Sequence, residues 1–163
     1  METKSNKNKI LNIALDLFSK HGYDAVGVQT LCEKAGITKP TLYYYFKNKE
    51  GVLRELLNVN YAKLNGLLEL NSHYIPHPKI YEQDVIVTLT NVAQTYLKFA
   101  EKNEKFYKMV LNATFAPNCG TLSKIAVDFN SVQYQIIEKM FKSMARIHRN
   151  MKGAEKRLAW TFI

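Results

Sequence analysis

Within residues 28–49, VQTLCEKAGITKPTLYYYFKNK, three tyrosines in succession follow Lys39, Pro40 and Thr41. Lysine ammoniums, hydroxyls and phenols are side chains that bond phosphates and base edges. On a helix, Lys39, Pro40, Tyr43 and Tyr44 cluster within about 140°, so they share one face. Three consecutive tyrosines cannot all be buried on one side of a helix, so at least one is exposed. A short helix presenting these groups suits a DNA major groove, where its N-terminal residues reach base edges. Lys49, at the start of the next helix, can bring an ammonium to a phosphate that backbone N–H groups also face.

Other residues of chemical interest are weaker candidates. His73 and His77 are four apart, but Pro76 stands between them and no thiol or carboxylate cluster joins them, so a loop surface is favoured over a metal site. Cys32 and Cys119 cannot build a disulfide framework and lack zinc-ligand spacing. No nucleophile motif or glycine-rich phosphate loop occurs, so the expectation is no enzyme, no cofactor and no metal.

The elements that must position the block are helical. Ile10, Ile13, Ala14, Leu17 and Phe18 predict a helix over 7–20, ended by Gly22. Residues 28–35 form a second helix with Val28, Leu31, Cys32 and Ala35 on one side, and Gly36 breaks the chain. Thr38 caps a third helix that tolerates Pro40 in its first turn and runs to about Phe46. Asn48 caps a fourth from Lys49, apolar at Val52, Leu53, Leu56, Leu57, Tyr61, Leu64 and Leu68. The segment 73–78 is a loop. Further helices follow over about 82–100, from Asn103 to about Phe115, from Thr121 to about Met151, and from about Ala154. Residues 117–120 read as a loop between two of these. Nothing alternates with period two, so the class is all-α with about eight helices.

The 163 residues carry 23 basic and 14 acidic side chains, a formal +9. Residues 1–54 hold nine basic and five acidic, residues 55–138 seven and eight, and residues 139–163 seven and one. Such an excess favours an acidic partner without choosing between nucleic acid and anionic lipid. The basic end (Lys142, Arg146, Arg149, Lys152, Lys156, Arg157) reads as a solvated helix face, or as a second surface for an acidic partner. No run approaches the roughly 18 apolar residues of a membrane span, and no signal-peptide core follows METKSNKNK. Cytoplasmic location and no membrane partner are therefore expected.

Residues 10–57 resemble the DNA-binding domain of the tetracycline-repressor (TetR/AcrR) family. The carrying residues are Ala14, Leu17, Phe18, Gly22 and Tyr23, then the run from Leu31 to Phe46, then Lys47-Asn48-Lys49-Glu50 and Leu53. The resemblance implies an N-terminal three-helix helix-turn-helix domain over 1–48. A linking helix joins it to a helical effector-binding and dimerisation domain over 49–163. It also implies DNA contacts at Gln29, Thr38, Lys39, Pro40, Thr41, Tyr43, Tyr44 and Lys49, with Tyr45 near that set. Lys49 matches the family's phosphate-binding lysine. Two departures stand out. Gly27 and Val28 occupy positions where the family often has Thr, so a cap and phosphate contact of the second helix are in doubt. Cys32 replaces a usual small Ala and reads as core filling.

Beyond residue 57 the resemblance is architectural, with weak similarity at Phe99–Tyr107 and Phe115–Pro117. It implies a homodimer on a double-stranded operator, because a two-fold dimer reads two half-sites. It also implies a small-molecule effector. Pocket candidates are Tyr61, Tyr96, Phe99, Phe106, Met109, Phe115, Phe129, Tyr134 and Met140, although aromatics and Met at helical spacing more often fill a core. The near-neutral middle of the chain argues against a strongly anionic or cationic effector. Family members usually continue through another long helix, so a C-terminally truncated chain with an incomplete last dimerisation helix is expected. The reading is a sequence-specific regulator, a homodimeric repressor released by its effector. The alternative is a ligand-independent architectural DNA-binding protein of the same fold.

Overall fold

The computed structural model describes residues 2–77, 79–114 and 120–163. Among these residues there are eight α-helices, two short 3-10 turns and no strand. The helices are α1 (Glu2–His21), α2 (Val28–Ala35), α3 (Lys39–Phe46), α4 (Lys49–Asn71), α5 (Val85–Lys102), α6 (Glu104–Thr114), α7 (Thr121–Ile147) and α8 (Glu155–Trp160). No helix among the described residues is long and apolar enough to cross a membrane.

The chain divides into two compact units. The first comprises Met1–Asn60 and Asn103–Val127, the second Tyr61–Lys102 and Asp128–Ile163. The helices α4 and α7 therefore each contribute to both. This division follows compactness.

In the first unit, α1 packs against α2 and α6, and α2 packs against α3. The periodic apolar positions of the sequence form the interior: Ile10, Ala14, Phe18, Leu31, Leu42 and Leu53 are all buried. Phe18 meets the Tyr23 ring edge-on at 5.1 Å. Cys32 is buried, and burial pushes its thiol up, which suits a core filler rather than a reactive thiolate. Two ion pairs fasten α1. Lys7 Nζ reaches Glu55 Oε1 of α4 at 2.6 Å, and Lys105 Nζ of α6 reaches Asp16 Oδ1 at 2.6 Å.

In the second unit, Leu64, Leu68, Val92, Ile137, Met140 and Met144 are buried. The helix α7 ends at Ile147, one turn before the expected end near Met151. The reason lies at His148. It leaves the helical conformation (φ −100°, ψ 96°) and its Nε2 meets Asp84 Oδ2 at 2.9 Å. A 3-10 turn over Arg149–Met151 follows.

Candidate nucleic-acid interface

The turn between α2 and α3 is tight because Gly36 adopts φ 65°, a left-handed conformation that costs glycine little. The Gly36 and Ile37 N–H groups then close α2 on the Glu33 and Cys32 carbonyls. Thr38 caps α3: its Oγ1 accepts from the Thr41 N–H at 3.4 Å and lies 2.9 Å from Thr41 Oγ1. Gly27 precedes α2 without a side-chain cap, so the departure from Thr there does remove one. Leu42 and Phe46 anchor α3 inward.

What α3 leaves outside is the polar face. Lys39 and Pro40 are exposed, Tyr43 is 44% exposed and Tyr44 is 79% exposed. Tyr45 is half-buried, with its ring 5.2 Å from Tyr44 and 6.1 Å from Phe46. Thr38 is exposed and Thr41 half-buried. Gln29, at the start of α2, is exposed and its amide bonds Glu33 at 2.8 Å. Lys39, Tyr43 and Tyr44 thus present a cation and two phenols on one helix face.

The Lys49 ammonium is engaged inside the unit. It donates to the Tyr23 and Val26 carbonyls, each at 3.1 Å, and sits 4.2 Å from the Tyr23 ring centroid. An ammonium has three N–H donors, so one remains. Its structural work is to tie the α1–α2 loop to the start of α4. Sequence reasoning missed this because the carbonyl partners lie 26 and 23 residues away.

The α3–α4 turn and the first turn of α4 hold two further residues that sequence reasoning missed. Lys47 has φ 64°, uncommon for a residue with a side chain. A Cβ on Gly51 would stand 1.8 Å from the Phe46 carbonyl oxygen, so only glycine fits. The Asn48 side chain caps α4 by accepting from the Gly51 N–H at 2.7 Å, as its position predicts.

The expected pocket residues that the structure describes make the following contacts. Tyr61 stacks on Phe129 at 5.5 Å, and Tyr134 lies 4.9 Å from Trp160. Phe99, Phe106 and Met109 are buried, and Tyr96 is half-buried. Phe115 lies outside the described residues. Met140 does border a half-open cavity of about 580 Å³ in the second unit. One side of it is Glu69 and Ser72 at the end of α4, with His73 and Tyr74 of the following loop. The other side is Ile136, Lys139, Met140 and Ser143 of α7.

Beside that cavity is a buried polar cluster with no counterpart in the sequence reading. Asp84 is 1% exposed. Its Oδ2 accepts the His77 N–H at 3.0 Å as well as meeting His148 Nε2. Tyr74 lies beside the same carboxylate, and the Tyr81 ring meets His148 edge-on at 5.2 Å. Burial alone would raise the Asp84 carboxyl, but Tyr74, His148 and the His77 N–H together hold it below its ordinary value. Burial and the Asp84 charge push the Tyr74 phenol well above its usual range. His77 thus serves through its backbone, while His73 is exposed at the cavity.

Residues 10–56 match the family described as bacterial regulatory proteins, tetR family. Over those residues the chain is similar to the N-terminal domain of tetR-family regulators. Curated relatives agree over the same end. The HTH-type transcriptional regulator QacR of Staphylococcus aureus is 40% identical over 57 residues, 35% of this chain and 30% of its own length. The HTH-type transcriptional regulator RutR of Escherichia coli is 38% identical over 69 residues, 40% of this chain and 32% of its own length. The chain therefore spans less than a third of the length of these two relatives. Solved structures extend the likeness in fold to nearly the whole chain. The fatty acid degradation regulator FadR from Bacillus halodurans superposes with a TM-score of 0.71 at 17% identity, covering 96% of this chain and 80% of that one. AibR, in complex with isovaleryl coenzyme A and operator DNA, gives 0.67 at 18%, covering 96% and 81%. In this fold the helix-turn-helix is α2–α3, and further helices follow it.

Proposed function

We propose that this chain is a tetR-family, sequence-specific DNA-binding transcriptional regulator, a repressor that binds its operator as a homodimer. The observation that carries the reading is the outward face of α3, where Lys39, Tyr43 and Tyr44 stand in solvent over buried Leu42 and Phe46. Lys39, Tyr43 and Tyr44 enter the major groove in this reading, with Thr38, Pro40 and Thr41 at its edge. Gln29 and Tyr45 flank them, and Lys49 offers its remaining N–H to a phosphate. Residues 1–48 form the reading head, and residues 49–163 form the dimerisation and effector part. A small-molecule effector bound in the second unit releases the operator, for which the half-open cavity supplies room. The Tyr61–Phe129 and Tyr134–Trp160 ring contacts favour the alternative, a ligand-independent architectural DNA-binding protein.

The test is duplex binding to the DNA flanking the chain's own gene, at two salt concentrations. Selective binding that weakens steeply with salt is expected, because phosphate contacts release counterions. Tyr44→Ala should weaken it by roughly tenfold or more, in line with the loss of base-edge contacts. A flat salt response, or full affinity in Tyr44→Ala, would overturn the assigned face. Weak binding without sequence preference would support the architectural alternative.

A further inference from the structure

The cavity of the second unit carries two opposite charges, Glu69 from the end of α4 and Lys139 from α7. Neither has an ion-pair partner among the described residues. Their own helices cannot supply one. Three and four residues from Glu69 stand Asn65, Gly66, Ser72 and His73, and around Lys139 stand Gln135, Ile136, Lys142 and Ser143. The neighbouring Lys142 shows the contrast, since it pairs with Glu138 at 3.0 Å. Ser143 donates its hydroxyl proton to the Lys139 carbonyl at 3.1 Å, so its oxygen still offers lone pairs. Met140 and Ile136 border the same cavity.

The loop wall of the cavity is held in place. Tyr74 lines the cavity and also lies beside Asp84. Asp84 in turn binds the loop through the His77 N–H and the end of α7 through His148. A carboxylate this deeply buried is costly unless donors surround it, and here they come from both walls of the cavity. The groups facing Asp84 are therefore Tyr74 and His77 of the loop and His148 after α7, with Tyr81 against the His148 ring.

We propose that this cavity is the effector site and takes a zwitterion, an amino acid or short peptide. Its carboxylate meets Lys139, its ammonium meets Glu69, and its side chain lies on Met140. Asp84 and His148 are positioning residues that hold the Tyr74 wall. This rests on the effector reading above, and a zwitterion is consistent with the nearly neutral middle of the chain. A volume of about 580 Å³ leaves room for more than one amino acid residue.

The test is calorimetric titration of the whole chain with L-leucine and leucylglycine. Two counterparts of leucine are run beside them: 4-methylpentanoate, which lacks the ammonium, and 3-methylbutylamine, which lacks the carboxylate. The zwitterions should bind, and each singly charged counterpart should bind roughly tenfold more weakly or worse. Lys139→Met and Glu69→Gln should each cause a loss of similar size at an unchanged melting temperature, since both side chains are exposed. Leucine should slow hydrogen exchange at the His77 amide in the unsubstituted chain but not in Asp84→Asn. No heat from either zwitterion at millimolar concentration overturns the proposal. So does equal binding of a singly charged counterpart, or binding untouched by both cavity variants. An unchanged leucine effect on His77 exchange in Asp84→Asn overturns the positioning role. Operator binding is measured on the same preparations. If it persists while the zwitterions fail to bind, this proposal fails alone; if it is absent, the regulator reading fails on separate grounds.

Discussion

On α3 the polar side chains Lys39, Tyr43 and Tyr44 stand in solvent within one short stretch of sequence. In the second unit the carboxylate of Asp84 is buried and meets a histidine 64 residues away. The first arrangement costs little to keep, because water solvates the groups until a partner arrives. The second depends on donors held in place, here the His77 N–H and the His148 ring on Asp84 Oδ2, because a buried charge without donors is destabilising. Polar groups that await a macromolecule can therefore be written locally, whereas polar groups that hold a fold together depend on distant elements. Substitutions should separate the two regions along this line.

The largest stability loss is expected from Gly51→Ala. Its Cβ would meet the Phe46 carbonyl oxygen at 1.8 Å, and backbone cannot rotate away as a side chain can. A loss of about 3 kcal/mol in denaturant unfolding is expected, the upper end for an overpacked site. An unchanged midpoint would mean that the α3–α4 turn is held less tightly than described. Asp84→Ala comes next, at about 2–3 kcal/mol, because it strands the His77 N–H and the His148 ring. Operator affinity of the folded protein should be nearly unchanged, in contrast with Tyr44→Ala, which should lose affinity and keep stability. If Asp84→Ala and Tyr44→Ala gave the same profile, the contrast between the regions would collapse.

Thr38→Ala should cost about 1 kcal/mol, the usual value of a helix N-cap. Thermal melting measures it, and a neutral result would show that the 3.4 Å cap bond contributes nothing. The smallest effect concerns acid. Asp16 is held at about 2, against 3.8 ordinarily, by hydrogen bonds from Lys105 and Lys20. Its folded value is depressed, so its contribution is present above about 3.8 and is lost as pH falls through about 2. Asp84 is depressed in the same direction and adds to the same acid-side loss. Melting temperature should fall between those two pH values, and Asp16→Asn should make the fall shallower. An equally steep fall in Asp16→Asn would remove the Lys105 and Lys20 pairs from the account.

The amino-acid sequence alone determined the helical class, the bounds of α2 and α3 and the caps at Thr38 and Asn48. It also determined that part of the tyrosine run must face solvent. These follow from short-range rules: apolar spacing, capping chemistry and the limited width of one helix face. Tertiary structure alone decided where the Lys49 ammonium goes and why residue 51 must be glycine. It also ended α7 one turn early, because His148 bonds Asp84 instead of continuing the helix. The cavity escaped the sequence reading for the same reason. The sequence pointed to aromatic residues for a pocket, and of these Tyr61 and Tyr134 meet the rings of Phe129 and Trp160. The walls of this cavity are largely polar residues from two segments more than sixty positions apart. A partner that lies beyond one or two helical turns leaves no periodic trace, so only the folded chain brings it into view.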